Sequence, residues 1–106
     1  MKKYTKIYLE AFGYSTTDFI PSEISGEKAV DIHHIICKGS GGDPTGNSDR
    51  IENLMAVTRN EHLEYGDKKQ YISFLFEKHM EFMELNGVKF DKNYILSQIE
   101  NYKQYE

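Results

Sequence analysis

The stretch AVDIHHIICKGSGG, residues 29–42, decides how the chain is read. It runs apolar and β-branched up to two adjacent histidines, His33 and His34, and then passes into a glycine-rich segment. Neighbouring side chains on a strand point to opposite faces. A strand over residues 28–35 therefore sends the two imidazoles apart, and they do not form a two-ligand metal grip from one face. They read as two histidines with two separate tasks. The 106 residues contain four histidines, so a side-by-side pair is a feature to explain.

Downstream, CKGSGGDPTGNSDR (37–50) holds most of the loop-forming residues and predicts a long loop. A loop of that length in a small domain is usually functional or disordered. NLMAVT (53–58) predicts a second short strand, and RNEHLEYG (59–66) a short helix with Gly66 as its C-cap. DKKQYISFLFEKHMEFMELNG (67–87) carries the clearest helical period. Asp67 followed by Gln70 resembles a capping box, Ile72, Leu75, Phe76, Met80 and Met83 form an apolar stripe, and Gly87 ends it. Residues 90–105 predict a last helix with Asp91 as N-cap and Tyr94, Ile95, Gln98, Ile99 and Tyr102 along one side.

Upstream, residues 15–28 read as loop, broken by Pro21 and Gly26. Tyr4, Tyr8 and Phe12 recur at helical intervals, with Ile7 and Ala11 beside them, and predict a short helix or turn. There is no internal repeat, low-complexity segment or linker, so residues 1–106 read as one small domain.

Hydrophobic residues make up 39% and charged residues 28%, an ordinary globular balance. No apolar run approaches the ~20 residues of a membrane helix, and lysines and tyrosines interrupt the start of the chain where a signal peptide would be apolar. A single cysteine, Cys37, excludes an internal disulfide and an all-cysteine zinc site, and reads as a small, partly buried thiol. A reducing cytoplasm is the expected compartment. The net charge of −4 argues against a non-specific nucleic-acid binder but leaves room for a local basic surface. Lys38, Arg50, Arg59, Lys68 and Lys69 all lie in the central part of the chain.

Set in order, a strand ending in His33-His34, a glycine loop, Asn53 in ENL and His62 on a short helix form a His…Asn…His series. This combination resembles the HNH endonuclease family over about residues 21–66, with residues 67–106 as a helical extension. The resemblance implies an α+β fold. Its centre is a ββα-metal finger, in which a short β-hairpin packs on a helix with one divalent metal ion between them. It implies DNA as substrate, in a bacterial cell or phage-infected host, and Mg²⁺ or Mn²⁺ as cofactor, with Zn²⁺ or Ni²⁺ able to occupy the site in crystals.

Phosphodiester hydrolysis needs an activated water and a metal that neutralises charge on the phosphate and the leaving oxygen. By resemblance His33 and His62 bind the metal and His34 is the general base, a role open to an imidazole of ordinary pKa near ~6.5. Asp31, two residues before His33 and so on the same strand face, is placed to bind the metal directly, bind it through water, or orient His33. Asn53 is expected to hold the loop backbone and steer the His34 ring. Arg50 and Arg59 suit bidentate phosphate contacts and equally suit plain surface charge. His79, in mid-helix beside the apolar stripe, has no partner at useful spacing and reads as structural.

Many members of the family carry two Cys-x-x-Cys knuckles that bind a structural zinc. Ser22 and Ser25 fill the first pair of positions and Thr58 and Glu61 the second. The expectation is therefore no structural zinc, with the later aromatic helices holding the finger. Two other readings stay open: a non-catalytic nucleic-acid-binding module of the same shape, and a helical interaction domain whose histidines bind a structural metal. A homodimer fits the nuclease reading, because one site cuts one strand at a time.

Overall fold

The computed structural model describes residues 1–37 and 47–106. Lys38 and most of the glycine-rich loop lie outside the described residues. The fold is α+β: one two-stranded antiparallel hairpin, four α-helices and three short 3-10 turns among the described residues. Helix α1 (Lys3–Phe12) comes first, then strand β1 (Asp31–His34). Two 3-10 turns (Asn47–Asp49 and Ile51–Asn53) lead into strand β2 (Leu54–Val57). Helices α2 (Arg59–Tyr65), α3 (Lys69–Leu85) and α4 (Lys92–Tyr102) follow, and a 3-10 turn (Lys103–Tyr105) closes the chain.

The strands pair Asp31 with Val57, Ile32 with Ala56, His33 with Met55 and His34 with Leu54. All four residues of β2 are buried, because this strand is covered on both faces. Leu54 and Ala56 pack with Tyr8 of α1. Met55 and Val57 pack with Ile72, Leu75, Phe76 and Met83 of α3 and with Ile95 and Ile99 of α4. The period of two thus splits one strand between two cores. His33 shares its register with Met55, and His34 with Leu54, so the two histidines face different sides of the hairpin.

Helix α2 starts where its sequence says it should. Thr58 accepts from the Glu61 amide at 3.1 Å while the Glu61 carboxylate accepts from the Thr58 amide at 2.8 Å, a complete capping box. Asp91 caps α4 by accepting from the Tyr94 amide at 3.0 Å. The start of α3 departs from expectation. Its N-cap is Lys68, with no side-chain cap, and Asp67 sits just outside with φ 58°. Gly66 is the C-cap of α2 as expected, its amide donating to the His62 carbonyl, but its φ of −68° is not left-handed, so glycine is required there for another reason.

His79 is fully buried and does have partners, at sequence distances that no spacing rule reveals. Its Nδ1 lies 2.6 Å from a Glu23 oxygen and its Nε2 2.7 Å from the Ile51 carbonyl. Two acceptors require two N–H donors, so the ring is an imidazolium. Tyr8 donates to the other Glu23 oxygen at 2.6 Å. Burial pushes the His79 pKa down, but the Glu23 charge and the hydrogen bonds to Glu23 and Ile51 outweigh it, and the net shift is upward. Burial first, and then Glu23, drive the Tyr8 hydroxyl far upward, so it stays a donor. This buried network ties α1, the 15–28 segment, α3 and the turn before β2 together.

Arg50 makes a second tie. Its Nε lies 2.8 Å from Glu52 Oε1, and its guanidinium sits 3.8 Å over the Tyr94 ring. Glu52 Oε2 accepts from the Asp91 amide at 2.7 Å, which joins the turn before β2 to the start of α4.

Candidate functional site

His33, His34, His62, Asp67, Tyr4, Ile32 and Cys37 line one cleft of about 320 Å³ beside β1. His33 reaches it from the strand and His62 from the first turns of α2, and their ring centroids are 4.7 Å apart. His33 is 4% exposed, and its Nε2 is the buried side-chain nitrogen or oxygen without a hydrogen-bond partner among the described residues. A buried polar atom left without a partner costs about 1–3 kcal/mol. Burial, with His62 beside it, holds the His33 pKa down at about 4, so at neutral pH the ring is uncharged and one of its two nitrogens carries a free lone pair. A lone pair in that state, next to a second imidazole, has the donor chemistry of a metal ligand. The residues therefore fit a divalent ion, although no group of three or more His, Cys, Asp or Glu among the described residues is already gathered about one point.

Asp31 takes the third of its expected roles, but on a different ring. Its Oδ2 lies 3.2 Å from His62 Nδ1, while Arg59 binds it through Nε at 3.0 Å and Nη2 at 3.1 Å. Asp31 thus orients His62, not His33, and leaves His62 Nε2 as the nitrogen available to a ligand. Arg59 is the partner that holds Asp31 in that position.

Gly66 explains how the two histidines come so close. A Cβ there would overlap the His62 carbonyl oxygen and lie 2.8 Å from His62 Cδ2 and 3.3 Å from His33 Cε1. Glycine is needed for close approach of backbone to the two rings, not for a left-handed cap.

His34 faces the α1 side. Its ring meets Tyr4 edge-on at 4.5 Å between centroids, and its Nε2 lies 2.8 Å from Asp49 Oδ1. Asn53 does hold the loop backbone: Oδ1 accepts from the Ile36 amide at 2.7 Å, and Nδ2 donates to the Ile36 carbonyl at 3.0 Å and the Ser48 carbonyl at 2.9 Å. Its amide makes no bond to His34, however, and the steering expected of it falls to Asp49 and Tyr4. Asp49 gives no signal in the sequence, because it sits inside a loop whose composition sets no register.

The four positions where cysteine knuckles would lie come together around Glu61. Ser22 donates to Glu61 Oε1 at 2.5 Å, that oxygen also accepts from the Thr58 amide, and Ser22 Oγ accepts from the Ser25 amide at 3.2 Å. Burial would raise the Glu61 pKa, but hydrogen bonds from Ser22, Ser25 and Thr58 reverse this and hold it below the usual value. Hydrogen bonds thus join the 15–28 segment to α2.

The expected phosphate-contact residues divide. Arg50 is engaged by Glu52 and Tyr94 as an internal anchor, so its placement does not support a phosphate contact. Arg59 has an exposed side chain that is already paired with Asp31. Lys68 donates to the Glu64 carbonyl at 2.8 Å, and Lys69 lies 5.1 Å over the Tyr105 ring; both are exposed next to Asp67. Cys37 is exposed, not partly buried, and lines the cleft. Among the described residues no helix is long and apolar enough to cross a membrane. Comparison with known proteins found no family model, no curated protein and no solved structure that matches the chain.

Proposed function

We propose that the chain is a metal-dependent endonuclease of the HNH type that hydrolyses phosphodiester bonds in DNA, with β1, β2 and α2 forming a ββα-metal finger. One observation carries this reading: the unpartnered buried Nε2 of His33 stands beside His62, and His34 lines the same cleft from the other side of the strand. His33 and His62 would hold the ion. A divalent ion bound there supplies charge neutralisation for the scissile phosphate and the leaving oxygen.

The chain's own residues do the rest. In the tautomer that donates Nε2–H to Asp49, the lone pair of the His34 ring lies on Nδ1. That nitrogen takes a proton from the attacking water as the water oxygen bonds to phosphorus and the leaving sugar oxygen departs. Asn53 fixes the backbone around residues 36 and 48 and so holds Asp49 near His34. Lys68 and Lys69, with Arg59 and Lys38, are the cations proposed to meet the DNA backbone, and no structural zinc is needed where Glu61 joins Ser22 to Thr58.

The test is incubation of the purified protein with supercoiled plasmid DNA and Mg²⁺ or Mn²⁺. The expected result is metal-dependent conversion to nicked or linear forms that stops on chelation. DNA binding with no cleavage under any divalent ion would replace the nuclease with a binding module.

A further inference from the structure

We infer that Asp67 supplies a third ligand, a carboxylate oxygen, to the ion held between His33 and His62. The inference rests on the metal-dependent reading above. Two imidazoles alone leave a hard ion such as Mn²⁺ or Mg²⁺ short of the oxygen donors it prefers. Asp31 is the obvious carboxylate from the sequence, but both its oxygens are committed to Arg59 and His62. Asp67 is the carboxylate that lines the cleft together with His33 and His62. It makes no hydrogen bond or ion pair among the described residues, and its side chain is exposed. The unpartnered His33 Nε2, in a side chain more than nine-tenths buried, faces the same cleft and independently calls for a ligand.

The local backbone brings the carboxylate to this place. Gly66 presses against both histidine rings, and Asp67 follows at once with φ 58°, the positive φ borne by a non-glycine residue among those described. Aspartate tolerates that conformation better than most residues but does not favour it as glycine does. The capping function that would justify aspartate before a helix is absent, since α3 begins without a side-chain cap. Glycine would suit the backbone better, so the carboxylate is what aspartate contributes.

Asp67→Gly separates the two roles. It removes the carboxylate and relaxes the backbone, so the metal-free variant should unfold at the same temperature as the wild type or higher. Titration calorimetry with Mn²⁺ alone, without DNA, reads the ligand directly for the wild type, Asp67→Gly, His33→Ala and His62→Ala. The expected result is a loss of Mn²⁺ affinity of about 10–100-fold in Asp67→Gly, alongside losses in both histidine variants. If Asp67→Gly binds Mn²⁺ like the wild type while the histidine variants lose it, Asp67 is not a ligand and the two-histidine site stands without it. If all three variants bind like the wild type, or the wild type binds no Mn²⁺, the metal reading falls with the inference.

Discussion

Nε2 of His34 and Oδ1 of Asp49 lie 2.8 Å apart, with both side chains mostly shielded from solvent. In the proposed nuclease this pair fixes which imidazole nitrogen holds the proton. Asp49→Asn should leave Mn²⁺ affinity near the wild-type value and lower single-turnover cleavage by about 10–100-fold, the usual effect of losing an orienting partner. Unchanged cleavage in Asp49→Asn would mean that the pair is structural only.

The cluster of Ser22, Thr58 and Glu61 predicts how the protein answers to chelation. Purified protein should hold no tightly bound zinc, and EDTA should leave its helical circular dichroism unchanged. Glu61→Ala, by contrast, removes the cap partner and leaves the buried Ser22 hydroxyl proton without its acceptor, at a cost of about 1–3 kcal/mol in a denaturant titration. Elemental analysis finding one zinc per chain that survives EDTA would contradict this.

The buried His79–Glu23 pair predicts a pH slope. His79 has a pKa raised above its ordinary 6.5. Its contribution to stability is therefore full below that value and is lost as pH rises through the higher folded-state pKa. Glu23 and the Ile51 carbonyl face the ring directly, and Glu52 adds to the upward shift. Wild-type unfolding free energy should fall as pH is raised from neutrality. His79→Gln should lose that slope and be less stable by about 3–5 kcal/mol, because Glu23 is left buried without its counter-charge. A variant that keeps the wild-type slope would assign it elsewhere.

Charge reversal should separate anchors from DNA contacts. Lys68→Glu and Lys69→Glu should weaken DNA binding and flatten its dependence on salt, leaving stability near the wild type. Arg50→Glu should instead destabilise the fold, since it meets Glu52 and Asp91 at the joint with α4. Equal effects on binding from reversing charges in α4 would place the DNA surface elsewhere.

What the sequence made legible is what a local period can carry. The hairpin, the three later helices, the α3 stripe and the Asp91 cap all follow from side-chain order over short spans. The strands came out shorter than their sequence pattern, because Val30 is left exposed and Asn53 belongs to a turn. Relationships set by the tertiary fold were not legible. His79 and Glu23 are 56 residues apart, so no spacing links them. Gly66 caps α2 as its sequence suggests, but the need for glycine there comes from the His62 and His33 rings packed against it, and Asp67, a cap by its sequence, does not cap α3. The adjacent histidines are the exception. Strand alternation alone predicted that they face apart, and the pairing with Met55 and Leu54 bears that out.

In the proposed nuclease the two histidines divide the labour, and one paired measurement on His33→Ala and His34→Ala tests that division. Mn²⁺ affinity by calorimetry and plasmid cleavage by single-turnover kinetics are read on the same preparations. His34→Ala should bind Mn²⁺ as the wild type does and cleave about 10²–10⁴-fold more slowly, the effect of losing a positioned general base. His33→Ala should lose Mn²⁺ affinity and recover part of its cleavage at high Mn²⁺. If His34→Ala loses the metal while His33→Ala keeps it, the roles are reversed; if both cut DNA at the wild-type rate, the two histidines are not the site.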